Sequence, residues 1–149
     1  MSASFSTSLH IDAAPDAVYD HFVRPELLVQ WMGDRAQLRA TDGGTFAVDI
    51  NGVLIRGSYV ALHRPTLIEI AWGEAGNAAM PPGATRLVIR LAAEAGGTRL
   101  DLVHDGLQPD EAAKHAIGWP HFLARLGEAA TGRDPGPDPW AAAPPAHGA

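Results

Sequence analysis

Trp119, Phe122, Leu123, Leu126 and Ala130 stand three or four positions apart, so in a helix they form one apolar stripe. This constrains the fold more than any other feature, because a helix with one apolar stripe must bury it against another element. The segments before it read as strands, so the partner is a sheet, and the helix lies across it. Within the helix, Pro120 removes the amide that would bond back to Ala116, and Gly118 lies two residues earlier. A bend is expected there, beside Trp119.

The strands are read from alternation. Phe5, Thr7, Leu9 and Ile11 alternate with Ser6, Ser8 and His10, giving a half-buried opening strand. Pro15 and Asp16 then open a helix, with Asp12 as its expected cap, and Val18 and Phe22 share one face. Arg24-Pro25 interrupts it, since the residue before proline avoids helical geometry. A second short helix carries Leu28 and Trp31. Six strands follow through short turns, over 36–40, 46–50, 54–62, 67–72, 87–91 and 100–104. Asn51-Gly52 and Gly96-Gly97 are hairpin signals, Gly57 inside its strand suggests a bulge or bend, and 73–83 reads as a loop. Asp110, after Pro109, is the expected cap of the long helix, which runs to about Ala130. Consecutive strands joined by short turns make an antiparallel sheet, and seven twisted strands curl. The expected fold is α+β, a helix grip: a curled seven-stranded antiparallel sheet around the long C-terminal helix, with two short helices after the first strand.

The chain has 149 residues, 46% of them hydrophobic, enough for one domain with one core. Residues 1–131 are expected to form it. The remaining 132–149 form a Pro-, Gly- and Ala-rich tail, which cannot form a helix or a central strand because proline removes donors at short intervals. Trp140 in that tail is costly to leave in water, so it is expected to dock on its own domain or on a partner subunit, making a homodimer a candidate assembly. Eleven basic residues against 17 acidic ones leave a net charge of −6, which repels nucleic acid and anionic membrane surfaces. No apolar run spans a membrane and no signal peptide is visible, so the expected location is cytoplasmic. With no cysteine, disulfides and thiolate chemistry are excluded. His115 and His121 are six apart, on different helical faces, so no metal is expected. There is no Gly-x-Ser-x-Gly nucleophile elbow, and Gly43-Gly44 lacks a phosphate-loop lysine, so no cofactor is expected either.

Several groups of residues, taken in order, carry a family resemblance. They are Ala14-Pro15-Asp16-Ala17-Val18-Tyr19, Pro25-Glu26-Leu27 with Trp31, Gly43-Gly44-Thr45-Phe46, Gly57, Pro65 and Ile70-Ala71-Trp72. Gly97-Thr98-Arg99-Leu100, His104-Asp105-Gly106-Leu107 and Gly118-Trp119, leading to Leu123 and Leu126, complete the set. In this order they resemble the START-like superfamily (SRPBCC, birch-pollen-allergen-like), in the branch homologous to the C-terminal domain of the heat-shock chaperone ATPase activator. The resemblance covers roughly 5–130. Many relatives carry a second tryptophan where this chain has Met32, an adaptable side chain that can reshape a cavity mouth. The chain opens almost at its first strand, so the activator's separate chaperone-binding domain is not expected.

The resemblance implies a cavity between the long helix and the sheet, suited to a hydrophobic or amphipathic small molecule. Alternation places Phe46, Val48, Ile50, Leu87, Ile89, Leu102 and His104 on one sheet face. The helix adds His115, Trp119, Phe122 and Leu126. Trp31 and Trp72, apolar with one polar handle each, complete the candidate lining. These residues describe a binder of a small hydrophobic ligand. Two alternatives remain. One is a cyclase- or hydratase-like enzyme, with His104 and either Asp49 or Glu69 as acid–base candidates. The other is a protein-interaction module like the chaperone activator, which needs an exposed docking patch.

Overall fold

A computed structural model describes residues 2–142. β1 (Ala3–Ile11) is followed by α1 (Pro15–Val23) and the single turn α2 (Pro25–Leu28). Then come β2 (Arg35–Leu38), β3 (Thr45–Ile50), β4 (Val53–His63), β5 (Leu67–Glu74), β6 (Thr85–Glu94) and β7 (Gly97–Leu107). The long helix α3 spans Pro109–Ala130. All seven strands form one antiparallel sheet in the order β1-β7-β6-β5-β4-β3-β2. Only the β1–β7 neighbourhood breaks the chain order, because α1 and α2 carry the chain from one edge of the sheet to the other before the meander begins. The curled sheet holds α3 on its concave side, as the stripe on the helix requires.

Alternation is clear in β3, β6 and β7. In β3, Phe46, Val48 and Ile50 are buried while Ala47 and Asp49 are half-buried on the other face. β6 buries Leu87, Ile89 and Leu91, and β7 buries Leu100, Leu102 and His104. Asn51 and Gly52 both have positive φ, +51° and +88°, the geometry of a two-residue hairpin turn whose twist matches its strands.

Gly57 differs from expectation. The bulge in β4 lies later, where the register against β5 shifts between Tyr59 and Ala61. Gly57 is required for close approach: a Cβ there would lie 1.7 Å from the carbonyl oxygen of Ala71. Both expected helix caps also differ. Ala14 caps α1 and Gln108 caps α3, neither through a side-chain bond, and a proline follows each at the first helical position. Pro supplies the helical φ in advance, and the amide it lacks at the first helical position would have had no partner within the helix, so the helix starts without an Asp cap. Asp12 instead contacts His10.

Through Pro120 α3 continues without a break. Pro120 and Ala116 both lie on the exposed face, so the carbonyl freed by the missing amide is on the side facing water. No helix among the described residues is long and apolar enough to cross a membrane.

The tail does not simply extend away. Pro139–Ala141 forms one 3-10 turn, tight enough to tolerate proline at its start, where a longer helix would not form. Trp140 stacks on His121 of α3, ring centroids 3.6 Å apart and 7° from parallel, and meets the edge of Phe122. Asp138 accepts from His121 and from Asn51 at the β3–β4 turn, while Arg125 donates to the carbonyl of Gly136. The tryptophan therefore docks on its own domain. Residues 143–149, including Ala143-Pro144-Pro145 of the expected tail, lie outside the described residues.

Candidate functional site

Trp72 is the centre of the site. It lies on the inner face of β5, in register with Gly57 on β4 and Thr85 on β6. From α3, Trp119 packs at 5.4 Å between ring centroids and His115 at 6.4 Å. From the sheet, His104 packs at 5.5 Å and Phe46 at 5.9 Å. These are the tilted and edge-on contacts that aromatic quadrupoles favour.

A neutral hydrogen-bond chain runs behind this cluster. The indole N–H of Trp119 donates to Nδ1 of His104 at 3.2 Å, and Nε2 of His104 lies 2.8 Å from Oγ1 of Thr85. Thr85 spends its own hydroxyl proton on the carbonyl of Trp72, at 2.7 Å. Because Nδ1 accepts, the proton of His104 must sit on Nε2, where Thr85 accepts it. Every polar group in the chain is thus satisfied in one tautomer only. His104 has no exposed surface, and burial, with the neighbouring His115, pushes its pKa down to about 2.

The helix carries a second buried histidine. Nδ1 of His115 lies 2.6 Å from the backbone carbonyl of Glu111, so Nδ1 bears the proton and Nε2 is an acceptor. Burial lowers its pKa below the ordinary value, and the bond to Glu111 opposes that in part. Trp72 completes the polar inventory. It is 3% exposed, and among the described residues its indole N–H is the only buried side-chain nitrogen or oxygen without a partner.

A narrow cleft opens on this cluster, lined by Met32, Ile50, Trp72, His115, Gly118, Trp119 and Phe122. Its free space is about 280 Å³ including the part open to solvent, but only about 20 Å³ admits the centre of a water molecule. That is room for roughly one water. The lining is apolar apart from the nitrogens of Trp72, His115 and Trp119.

With fold and cleft in view, comparison with known proteins is decisive for the family. The model of the family described as Activator of Hsp90 ATPase homolog 1-like protein matches residues 12–131. The chain belongs to that family. Among solved structures of this fold, an AHSA1-like protein from Rhizobium etli is 35% identical. That alignment covers 94% of this chain and 89% of that one, with a TM-score of 0.74. CalU16 from Micromonospora echinospora is 27% identical over 93% of this chain and 70% of its own, also at 0.74. The Aha1 dimer from Colwellia psychrerythraea shares the fold at 21% identity, covering 85% and 95% with a TM-score of 0.74. No curated protein matches. The START-like assignment and the helix-grip architecture therefore stand.

This AHSA1-like chain gathers some of the expected lining and not the rest. Ile50, Trp72, His115, Trp119 and Phe122 line the cleft together. Phe46, Val48, Leu87, Ile89, Leu102 and Leu126 are buried in the shared core, where helix and sheet pack against each other. His104 lies one layer behind the cleft, with both ring nitrogens engaged. Trp31 is fully buried under the short helices, donating to the carbonyl of His21 and packing edge-on against Phe22. Its neighbour Met32 reaches the cleft instead. Gly118 also lines it, and its place in the stripe three residues after His115 was the available signal. The acid–base pairs proposed for an enzyme do not form. Asp49 pairs with Arg56 at 2.9 Å and Glu69 with Arg86 at 2.6 Å. Both carboxylates alternate out of phase with the buried residues of their strands, so they lie on the opposite face from His104.

Proposed function

We propose that this protein binds a small amphipathic molecule in the cleft between α3 and the sheet, without chemical conversion. The observation that carries this reading is the unpartnered indole N–H of Trp72, 3% exposed, in a cleft whose remaining lining is apolar apart from the His115 ring and the already bonded Trp119 indole N–H. A buried donor without an acceptor costs about 1–3 kcal/mol, and a ligand oxygen removes that cost. The apolar lining holds the rest of the molecule. The cleft is narrow, so a ligand larger than water must displace side chains. Met32, unbranched and rotatable, is suited to yield. Acid–base chemistry finds little support, because His104 is locked as a neutral relay and, among the described residues, no carboxylate bonds to it.

Native mass spectrometry of the gently purified protein tests the reading, together with the Trp72 indole resonance in a 15N-labelled sample. A retained small molecule, or a shift of that resonance on adding small apolar alcohols or ketones, is expected; Trp72→Phe should weaken binding about tenfold. A chain that retains nothing, and whose Trp72 resonance stays fixed across such a panel, does not use this cleft. The proposal keeps the cytoplasmic location and the homodimer expected from the sequence. The Colwellia psychrerythraea relative is described as a dimer, and light scattering on the purified protein tests whether this chain pairs as well.

A further inference from the structure

The cleft offers two unequal polar groups, and together they specify a head group. Trp72 presents a donor with no partner. Among the described residues, the one hydrogen bond of His115 runs from Nδ1 to the carbonyl of Glu111, which leaves Nε2 as an acceptor. Both residues line the cleft, with ring centroids 6.4 Å apart. Rings at that separation in one cleft make a single small head group the candidate partner for both nitrogens.

We propose that the site selects a neutral ligand headed by a hydroxyl group, whose oxygen accepts from the Trp72 indole and whose proton is donated to Nε2 of His115. This rests on the reading of the cleft as a ligand site. A hydroxyl is the smallest group that is donor and acceptor at one atom. An ether or ketone satisfies Trp72 but covers the His115 nitrogen without giving it a donor. A carboxylate satisfies Trp72 and brings a charge into a site whose lining contains no arginine or lysine, which burial penalises heavily. An ammonium head satisfies His115 and leaves Trp72 facing a second donor. The space for about one water suits a hydroxyl head, with the apolar body lying toward the open side of the cleft.

The test is a titration of the full 15N-labelled chain with 1-hexanol, its isomer pentyl methyl ether, hexanoate and hexylamine. The Trp72 indole and His115 ring nitrogens report binding. Hexanol should bind best, with the other three about tenfold weaker or more, the scale of one buried polar group left unsatisfied. The His115 Nε2 resonance should move with hexanol and stay fixed with the ether. Equal affinity for hexanol and the ether overturns the hydroxyl assignment and leaves the cleft reading standing. A preference for hexanoate or hexylamine does the same. Failure of all four to bind removes both the cleft reading and this inference. His115→Phe gives a second check: hexanol should fall about tenfold, to the level of the ether, while the ether stays unchanged. The ligand series on the unaltered chain decides the matter if that variant does not fold.

Discussion

Replacing His104 with Leu should make the protein less stable at neutral pH and relatively more stable in acid, so that the two stability curves converge and cross. At neutral pH the substitution keeps an apolar volume near that of imidazole but leaves the Trp119 indole without its acceptor, and Thr85 without the proton it receives. A buried donor orphaned in this way costs about 2 kcal/mol. In acid the sign reverses. His104 has its pKa lowered from 6.5 to about 2 in the folded chain, so between those values the unfolded chain binds a proton that the folded chain refuses. Its contribution to stability is complete above about pH 6.5 and falls as pH drops through that window, by roughly 1.4 kcal/mol per pH unit. Burial disfavours the imidazolium and the neighbouring His115 adds to this, while a proton on Nδ1 would also face the Trp119 N–H, donor against donor. Between pH 7.5 and 4.5 the original chain should lose roughly 2–3 kcal/mol through this residue, and His104→Leu should lose none of it. His115, whose pKa burial also lowers, titrates in both proteins and largely cancels in the difference. Urea unfolding followed by far-UV circular dichroism at the two pH values measures both gaps. A stability gap of the same size at pH 7.5 and 4.5 would refute the locked neutral tautomer. The double variant His104→Leu with Trp119→Phe should cost less than the sum of its parts, since it removes the orphan as well.

Gly57→Ala should abolish folding or cost several kcal/mol, because its methyl would sit 1.7 Å from a backbone oxygen of the neighbouring strand; a melting temperature within 2–3 °C of the original would contradict the close approach. Trp140→Ala should cost about 1–2 kcal/mol through the lost stack on His121, a drop of roughly 5 °C in a thermal scan. An unchanged melting temperature would show that the docked tail adds nothing. Burial pushes the Asp138 carboxyl up, but hydrogen bonds from the Trp140 amide, His121 and Asn51 outweigh it and leave the pKa below 3.8. Its anchoring should therefore be intact above pH 3.8 and fade only as pH falls through the lower folded value. Trp140 released already at pH 5, as judged by its indole resonance, would count against this anchor.

Side-chain periodicity explains why so much of the architecture could be read in advance. Phe46, Val48 and Ile50 had to share a face, and the stripe from Trp119 to Leu126 had to meet them, because both patterns follow from backbone geometry alone. The same alternation already set Asp49 and Glu69 apart from His104, although their chemistry made them attractive as partners. The caps were less legible. Asp12 and Asp110 have the right chemistry, but Pro15 and Pro109 start their helices by restricting φ, and that choice turns on dihedral angles that composition does not carry. Gly57 was visible as an anomaly, yet whether it served a bulge or a close contact depended on which residue the neighbouring strand placed opposite it.

Within the cleft, the distinction between lining and core lies beyond any pattern in one strand or helix. Trp31 and Met32 are adjacent and both buried, yet only Met32 reaches the cleft, because α1 and α2 take the indole for their own packing. The amino-acid sequence by itself determined the helix stripe, the antiparallel meander and the grip, since each follows from short-range periodicity and turn chemistry. The tertiary structure alone decided that Trp72 lacks a partner while Trp119 has one, that His104 relays while His115 is open, and that Trp140 stacks on its own helix. Those outcomes depend on which atoms from β3, β5, β7, α3 and the tail meet within about 3 Å, and hydrogen bonding over that range is set by three-dimensional approach.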